Sequence, residues 1–182
     1  MAMATEDQIL SAAADLVERY GAEALTTRAV CQAAGVTAPT LYHHFGDKNG
    51  LLRAVVAQGV ETFMARKRAN RQTADAAADL KRGWDGWIAF ALERPKLFRL
   101  MVESTRSDPG ATREAFVLMR AIIERLAADG RLTTDADTAA RTIWAASSGI
   151  LNLFMQGLPA AEIKPSSELL FDALMAKLVR SE

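Results

Sequence analysis

The chain has 182 residues, half of them hydrophobic, enough for a packed core without cross-links or metal. Lys+Arg and Asp+Glu number 22 each, so bulk charge argues for no nucleic-acid, membrane or acidic partner, and any affinity for DNA must come from local placement of charge. The single Cys31 excludes an intramolecular disulfide. With no zinc-type Cys/His cluster, no metal or cofactor is implied, and the thiol is expected as a small buried hydrophobe in a reducing compartment. The start, MAMATEDQIL, lacks the basic and apolar regions of a signal peptide. The longest apolar window, Ile143 to Phe154, is broken by Ser147, Ser148, Gly149 and Asn152 and falls short of the ~20 residues of a spanning helix. The expectation is a cytoplasmic protein with no membrane partner.

Apolar residues recur at spacings of three and four and nowhere alternate strictly, so the chain reads as all-α. A first helix opens at Thr5 with Gln8 in capping-box register, turns Ile9, Leu10, Ala13, Leu16, Val17 and Tyr20 inward, and stops at Gly21. Thr26 caps a second helix that buries Ala29, Val30 and Ala33 and ends before Gly35. The third, from Thr37 with Pro39 in its first turn, ends near Phe45 and Gly46. Asp47 caps a long fourth helix ending in Arg66, Lys67 and Arg68, cations that complement its dipole. The polar break Asn70–Thr73 divides residues 1–46 and the connecting helix 47–69 from a second domain, 70–182. There the expected helices are Asp75 to Glu93, a short one through Leu97 and Met101, Ala111 to Asp129, Asp135 to Gln156, and a last one from about Ser166. A loop is expected at Ser104 to Gly110.

Residues 26–48, TTRAVCQAAGVTAPTLYHHFGDK, have the layout of a helix-turn-helix. Such a unit needs donors aimed at phosphates and side chains at the start of its second helix for base edges. Thr26, Thr27 and Arg28 supply free amides, hydroxyls and a guanidinium at one helix start. Thr37, Ala38, Pro39 and Thr40 fill the first turn of the next, where short side chains allow close approach and methyls can meet thymine. Tyr42, His43 and His44 follow one turn on. Lys48 begins the fourth helix, where a cation opposes the dipole and a phosphate would explain it. Leu41 and Phe45 are expected to pack inward. The adjacent histidines point to different sides, so a shared metal is not expected.

This segment resembles the DNA-binding domain of the TetR family of bacterial transcriptional regulators. The threonines before the second helix, the AAGV turn, TLYHHF, and Lys48 with Leu51 and Leu52 carry the likeness, which covers residues from about 5 to 65. The resemblance implies phosphate contacts from Thr27, Thr40, Tyr42, His44 and Lys48, and base-edge positions at Thr37, Ala38, Pro39 and His43. Ala38 departs from the polar or basic residue often found there, which shifts weight to DNA shape. The C-terminal two thirds is similar in architecture and length alone.

Aromatic and methionine side chains gather in the second domain, and the resemblance implies an apolar effector cavity there. Its candidate lining is Trp84, Trp87, Phe90, Met101, Phe116, Met119, Trp144 and Phe154, a set whose structural alternative is an ordinary core. Gly83 and Gly86 beside the tryptophans weaken that helix unless something needs room. The last two helices are apolar on more than one side. One side is expected on the domain itself and the other, as the resemblance implies, in a four-helix homodimer interface through Ile143, Ile150, Leu151, Leu170, Leu174 and Leu178. The expected function is a ligand-responsive repressor without catalysis. Its partners are double-stranded palindromic operator DNA, a small-molecule effector and a second copy of itself. A DNA-binding regulator run by a protein partner or without ligand is the alternative, and a small helical enzyme or carrier is a rival from another class.

Overall fold

A computed structural model describes residues 5–105 and 112–180. The expected loop at Ser104 to Gly110 falls largely outside these residues, as do the start of the chain and the helix start at Ala111. Among the described residues there are nine helices: α1 (Thr5–Tyr20), α2 (Thr27–Ala34), α3 (Ala38–Phe45), α4 (Lys48–Ala69), α5 (Ala76–Glu93), α6 (Pro95–Thr105), α7 (Arg113–Ala128), α8 (Ala136–Met155) and α9 (Ala160–Leu178). The all-α expectation holds. The described residues contain no helix long and apolar enough to cross a membrane and no cluster of side chains that could hold a metal.

The described packing forms two compact units. The first takes the chain up to Phe63 and the segment from Arg94 through α6; the second takes Met64–Glu93 and the chain from α7 onward. Helix α4 therefore begins in one unit and ends in the other. The grouping of α6 with α1–α3 has no counterpart in the division read at Asn70.

In the first unit, Ile9, Ala13, Val17, Leu25, Val30, Leu41 and Val55 form the core, each at most 1% exposed. Tyr20, expected inward, is 68% exposed, because the last turn of α1 runs past the core. Ala34 is buried in place of Ala33, and Cys31 is half-buried rather than enclosed. Gln8, read as half of a capping box, donates Nε2–H to the Ala34 carbonyl at 3.0 Å and ties α1 to the end of α2. Glu18 accepts from the Leu97 amide at 3.2 Å and so caps α6, while Leu97 and the Met101 sulfur lie close over Gly59 of α4.

In the second unit α5, α7, α8 and α9 pack on one another. Asp79 sits in the otherwise apolar face of α5 made by Ala76, Leu80 and Trp84, and its side chain is 3% exposed. It accepts from Thr73 N (3.0 Å), Thr73 Oγ1 (2.8 Å), Arg125 Nη1 (2.6 Å) and the Arg82 guanidinium. Burial pushes its carboxyl pKa up, but the Arg125 and Thr73 hydrogen bonds and the Arg82 charge outweigh it and hold the pKa down at about 2. Trp84 donates Nε1–H to the buried Ser167 Oγ at 2.7 Å and packs against Phe171 with ring centroids 5.3 Å apart.

Helix α9 corrects the sequence reading. It starts at Ala160, not near Ser166, so Pro165 lies inside it. Pro165 removes one helical hydrogen bond, a loss offset by burying Ile163, which is 0% exposed and in register with Ser167 and Phe171. The basic run ending α4 is engaged inside the unit. Arg66 pairs with Glu93 at 2.8 Å, and Arg68 holds Glu114 through two bonds of 2.9 and 3.0 Å.

Candidate nucleic-acid interface

The ends of α2 and α3 are set by local chemistry. Thr26 Oγ1 accepts from Ala29 N at 3.2 Å and Thr37 Oγ1 from Thr40 N at 3.5 Å, satisfying amides that a helix start leaves without partners. Gly35, at φ 65°, closes α2 in the left-handed region, where a side chain would be strained. Asp47 Oδ1 accepts from Gly50 N at 2.6 Å and starts α4.

Leu41, 1% exposed, anchors α3 from behind, and Phe45 is half-buried, as expected for side chains that pack inward. The other face is open. Thr26, Arg28, Thr37, Pro39, His43, His44 and Lys48 are exposed and Tyr42 is 46% exposed, while Thr27, Ala38 and Thr40 are half-buried between them. Two hydroxyl pairs cross this surface: Thr27 Oγ1 with Tyr42 OH, and Thr37 Oγ1 with Thr40 Oγ1, each at 2.9 Å. The first links the start of α2 to the middle of α3. Among the described residues neither Arg28 nor Lys48 has an ion-pair partner, so both cations are available to an outside anion. His44 Nδ1 lies 3.8 Å from Glu6 Oε2 of α1, and its ring meets that of His43 edge to face at 5.4 Å.

The aromatic side chains of the second unit do not share one environment. Trp84, Phe90 and Met119 are buried, whereas Trp87 and Phe154 are half-buried. Phe116 and Trp144 are also half-buried and pair edge to face at 5.6 Å. Met101 belongs to the first unit, beside Gly59. A side chain at Gly83 or Gly86 would meet nothing within 4 Å, so no close neighbour demands either glycine. The second unit also carries an open cleft of ≈ 860 Å³ lined by Ala74, Asp75, Ala77, Asp129 and Arg131, none of which belongs to the expected aromatic lining.

The expected interface set divides as well. Ile143, Ile150 and Leu151 of α8 and Leu178 of α9 are buried within the chain, where α8 packs on α7 and α9. Leu170 and Leu174 are half-buried. The uncovered face of the two helices is carried instead by Leu153, 45% exposed, and Leu169, 72% exposed, with the exposed small residues Ala145, Ser148 and Gly149. The Asp79 cluster was missed in the sequence; its signal is a carboxylate at an inward position of an apolar helix face.

Two capped short helices crossing an open hydroxyl-rich face, followed by a larger helical unit, define a helix-turn-helix protein with an appended helical domain. Residues 9–55 match the model for bacterial regulatory proteins of the tetR family, and residues 80–178 match that for the tetracyclin repressor-like C-terminal domain. The chain belongs to the TetR family, one of transcriptional regulators and not of enzymes. It is 34% identical over 67 residues to the HTH-type transcriptional regulator UidR of Escherichia coli K12, across 37% of this chain and 34% of that protein. It is 31% identical over 91 residues to the class A tetracycline repressor from transposon 1721 of Escherichia coli, across 50% of this chain and 37% of that protein. The matches thus span about a third of the length of these relatives. In fold it is similar to the TetR-family regulator PfmR of Thermus thermophilus (TM-score 0.71, 23% identity, covering 99% and 100% of the two chains). It is also similar to the TetR-family regulator ECA1819 of Pectobacterium atrosepticum (TM-score 0.77, 24% identity, covering 98% and 96%).

Proposed function

We propose that the chain is a cytoplasmic transcriptional repressor that reads a palindromic operator as a two-fold dimer and is released by a small, largely apolar effector. The observation that carries this reading is the open face of α2 and α3. It combines cap hydroxyls, the Thr27–Tyr42 pair and the cations Arg28 and Lys48, with Leu41 buried behind. Thr27, Thr40, Tyr42, His44 and Lys48 contact phosphates; Thr37, Ala38, Pro39 and His43 face base edges. A dimer through the uncovered face of α8 and α9 would set two α3 helices about 34 Å apart, one turn of duplex. The effector would bind in the second unit, near the half-buried Trp87, Phe116, Trp144 and Phe154. It can shift the protein only by its different affinity for two conformations, and operator DNA must weaken effector binding by the same factor.

The test uses a fluorescent duplex carrying the palindrome nearest the gene. Saturable anisotropy with two chains per duplex, lost on a scrambled sequence, is expected; equal binding to both would overturn the reading. Compounds that raise the melting temperature should then dissociate the complex. The burial of Trp84, Phe90 and Met119 favours a second reading, in which these side chains are core and control comes from a protein partner or from none. That reading predicts no stabilising compound and undiminished operator binding.

A further inference from the structure

We propose that Glu6 is a positioning residue for His44 and makes operator binding take up a proton at that imidazole; this rests on the DNA-binding reading above. Glu6 lies in the first turn of α1 and His44 in the last turn of α3, yet His44 Nδ1 and Glu6 Oε2 are 3.8 Å apart. The approach is held from outside the pair. Two residues after Glu6, Gln8 Nε2 donates to the Ala34 carbonyl at 3.0 Å and fixes that turn of α1 against the end of α2. The imidazole is braced by the rings of His43 at 5.4 Å and Phe45 at 6.0 Å, and its side chain is 27% exposed.

A neutral imidazole has one N–H, and the carboxylate favours placing it on Nδ1, the nitrogen that faces Glu6. Nε2 then carries a lone pair, which repels a phosphate oxygen. A ring held this way can donate to DNA through Nε2 only as the imidazolium, with one N–H toward Glu6 and one toward the phosphate. The proton comes from solvent. Other groups near the ring do not supply this selection. From α3 the neighbour is the His43 imidazole, and the turn into α4 carries Asp47, engaged with Gly50 N, and the cation Lys48. Glu6 is the carboxylate that reaches His44 from α1.

The experiment measures operator affinity from pH 6 to 8 at fixed salt, together with the ¹⁵N shifts of the His44 ring in the free protein. Wild type should weaken about fivefold or more across that range, since a proton taken up on binding is lost as pH rises. Glu6→Gln lets the neutral ring place its N–H on Nε2, so its affinity should vary less than twofold, and His44→Asn should be weaker and equally flat. His43→Asn should lose affinity but keep the wild-type slope. In the free protein the neutral His44 ring should carry its N–H on Nδ1 in wild type and move toward Nε2 in Glu6→Gln. A flat wild-type profile, an unchanged slope in Glu6→Gln, or an Nε2–H ring in wild type overturns the proposal. Failure of every variant and of wild type to bind the operator, with the Nδ1–H ring present, overturns the DNA-binding reading instead.

Discussion

Asp79 shows how one side chain can decide the pH limits of a helical unit. Its carboxylate is buried, and it is tolerated because Arg125, Arg82 and two groups of Thr73 satisfy its oxygens. Asp79→Asn leaves the half-buried Arg125 guanidinium without its counter-charge and should cost about 3 kcal/mol in urea unfolding. The linkage has a definite sign. The folded-state pKa, about 2, lies below the ordinary 3.8, so the carboxylate contributes stability above pH 3.8 and loses it as pH falls toward 2. Unfolding midpoints followed by circular dichroism should drop across that window in wild type, and Asp79→Asn should flatten the drop. An identical acid profile in the two proteins would remove Asp79 from this role. The cluster was hard to foresee because sequence periodicity shows that position 79 faces inward, whereas of its partners only Arg82 lies on the same helix, Thr73 coming from a loop and Arg125 from α7, 46 residues away.

At the scale of elements, the limits of α2 and α3 were legible because their signals are local: Thr26 and Thr37 are both caps, and Gly35 and Gly46 follow the helices at positive φ. The same holds for Asp135, whose side chain accepts from Thr138 N at the start of α8. The start of α9 was not legible, because Pro165 is a stop signal that tertiary burial of Ile163 overrides. The aromatic residues were visible as a group but not as separate environments, since partner choice depends on which helices meet. Helices α5 and α9 meet through Trp84 and Ser167, a hydroxyl on an inward face whose purpose only the fold discloses. Ser167→Ala would leave a buried indole N–H unpaired and should cost about 1 to 3 kcal/mol. Chemical denaturation checks this, and an unchanged midpoint would mean that the bond contributes nothing net.

For the whole molecule, zero net charge means that the proposed binding to DNA must rest on placed contacts and, in the proposed dimer, on doubling the reading surface. With Arg28 and Lys48 as the standing cations of the motif and the proposed His44 imidazolium as a third, the salt dependence should be moderate, with about two to three counterions released per subunit. Dimer formation is expected to use the face of α8 and α9 that the chain leaves uncovered. Leu169→Glu, at a position 72% exposed in the single chain, should leave the fold intact and give a monomer in sedimentation. Operator affinity should then fall by about a hundredfold or more, because the second half-site no longer benefits from effective concentration. A Leu169→Glu protein that still sediments as a dimer would place the interface elsewhere.

A dimer would also carry two copies of the Thr27–Tyr42 pair, and counting protons there has a consequence. Two hydroxyls own two protons, and their mutual bond consumes one, whichever oxygen donates. Each subunit therefore has one proton left to offer outward. Tyr42→Phe or Thr27→Val alone removes the internal bond and one proton together, leaving the surviving hydroxyl free to donate. Each single variant should thus weaken operator binding only a few-fold, whereas the double variant, with no hydroxyl proton left, should lose more than the product of the two. Strictly multiplicative losses in anisotropy titrations would mean that the two oxygens act independently.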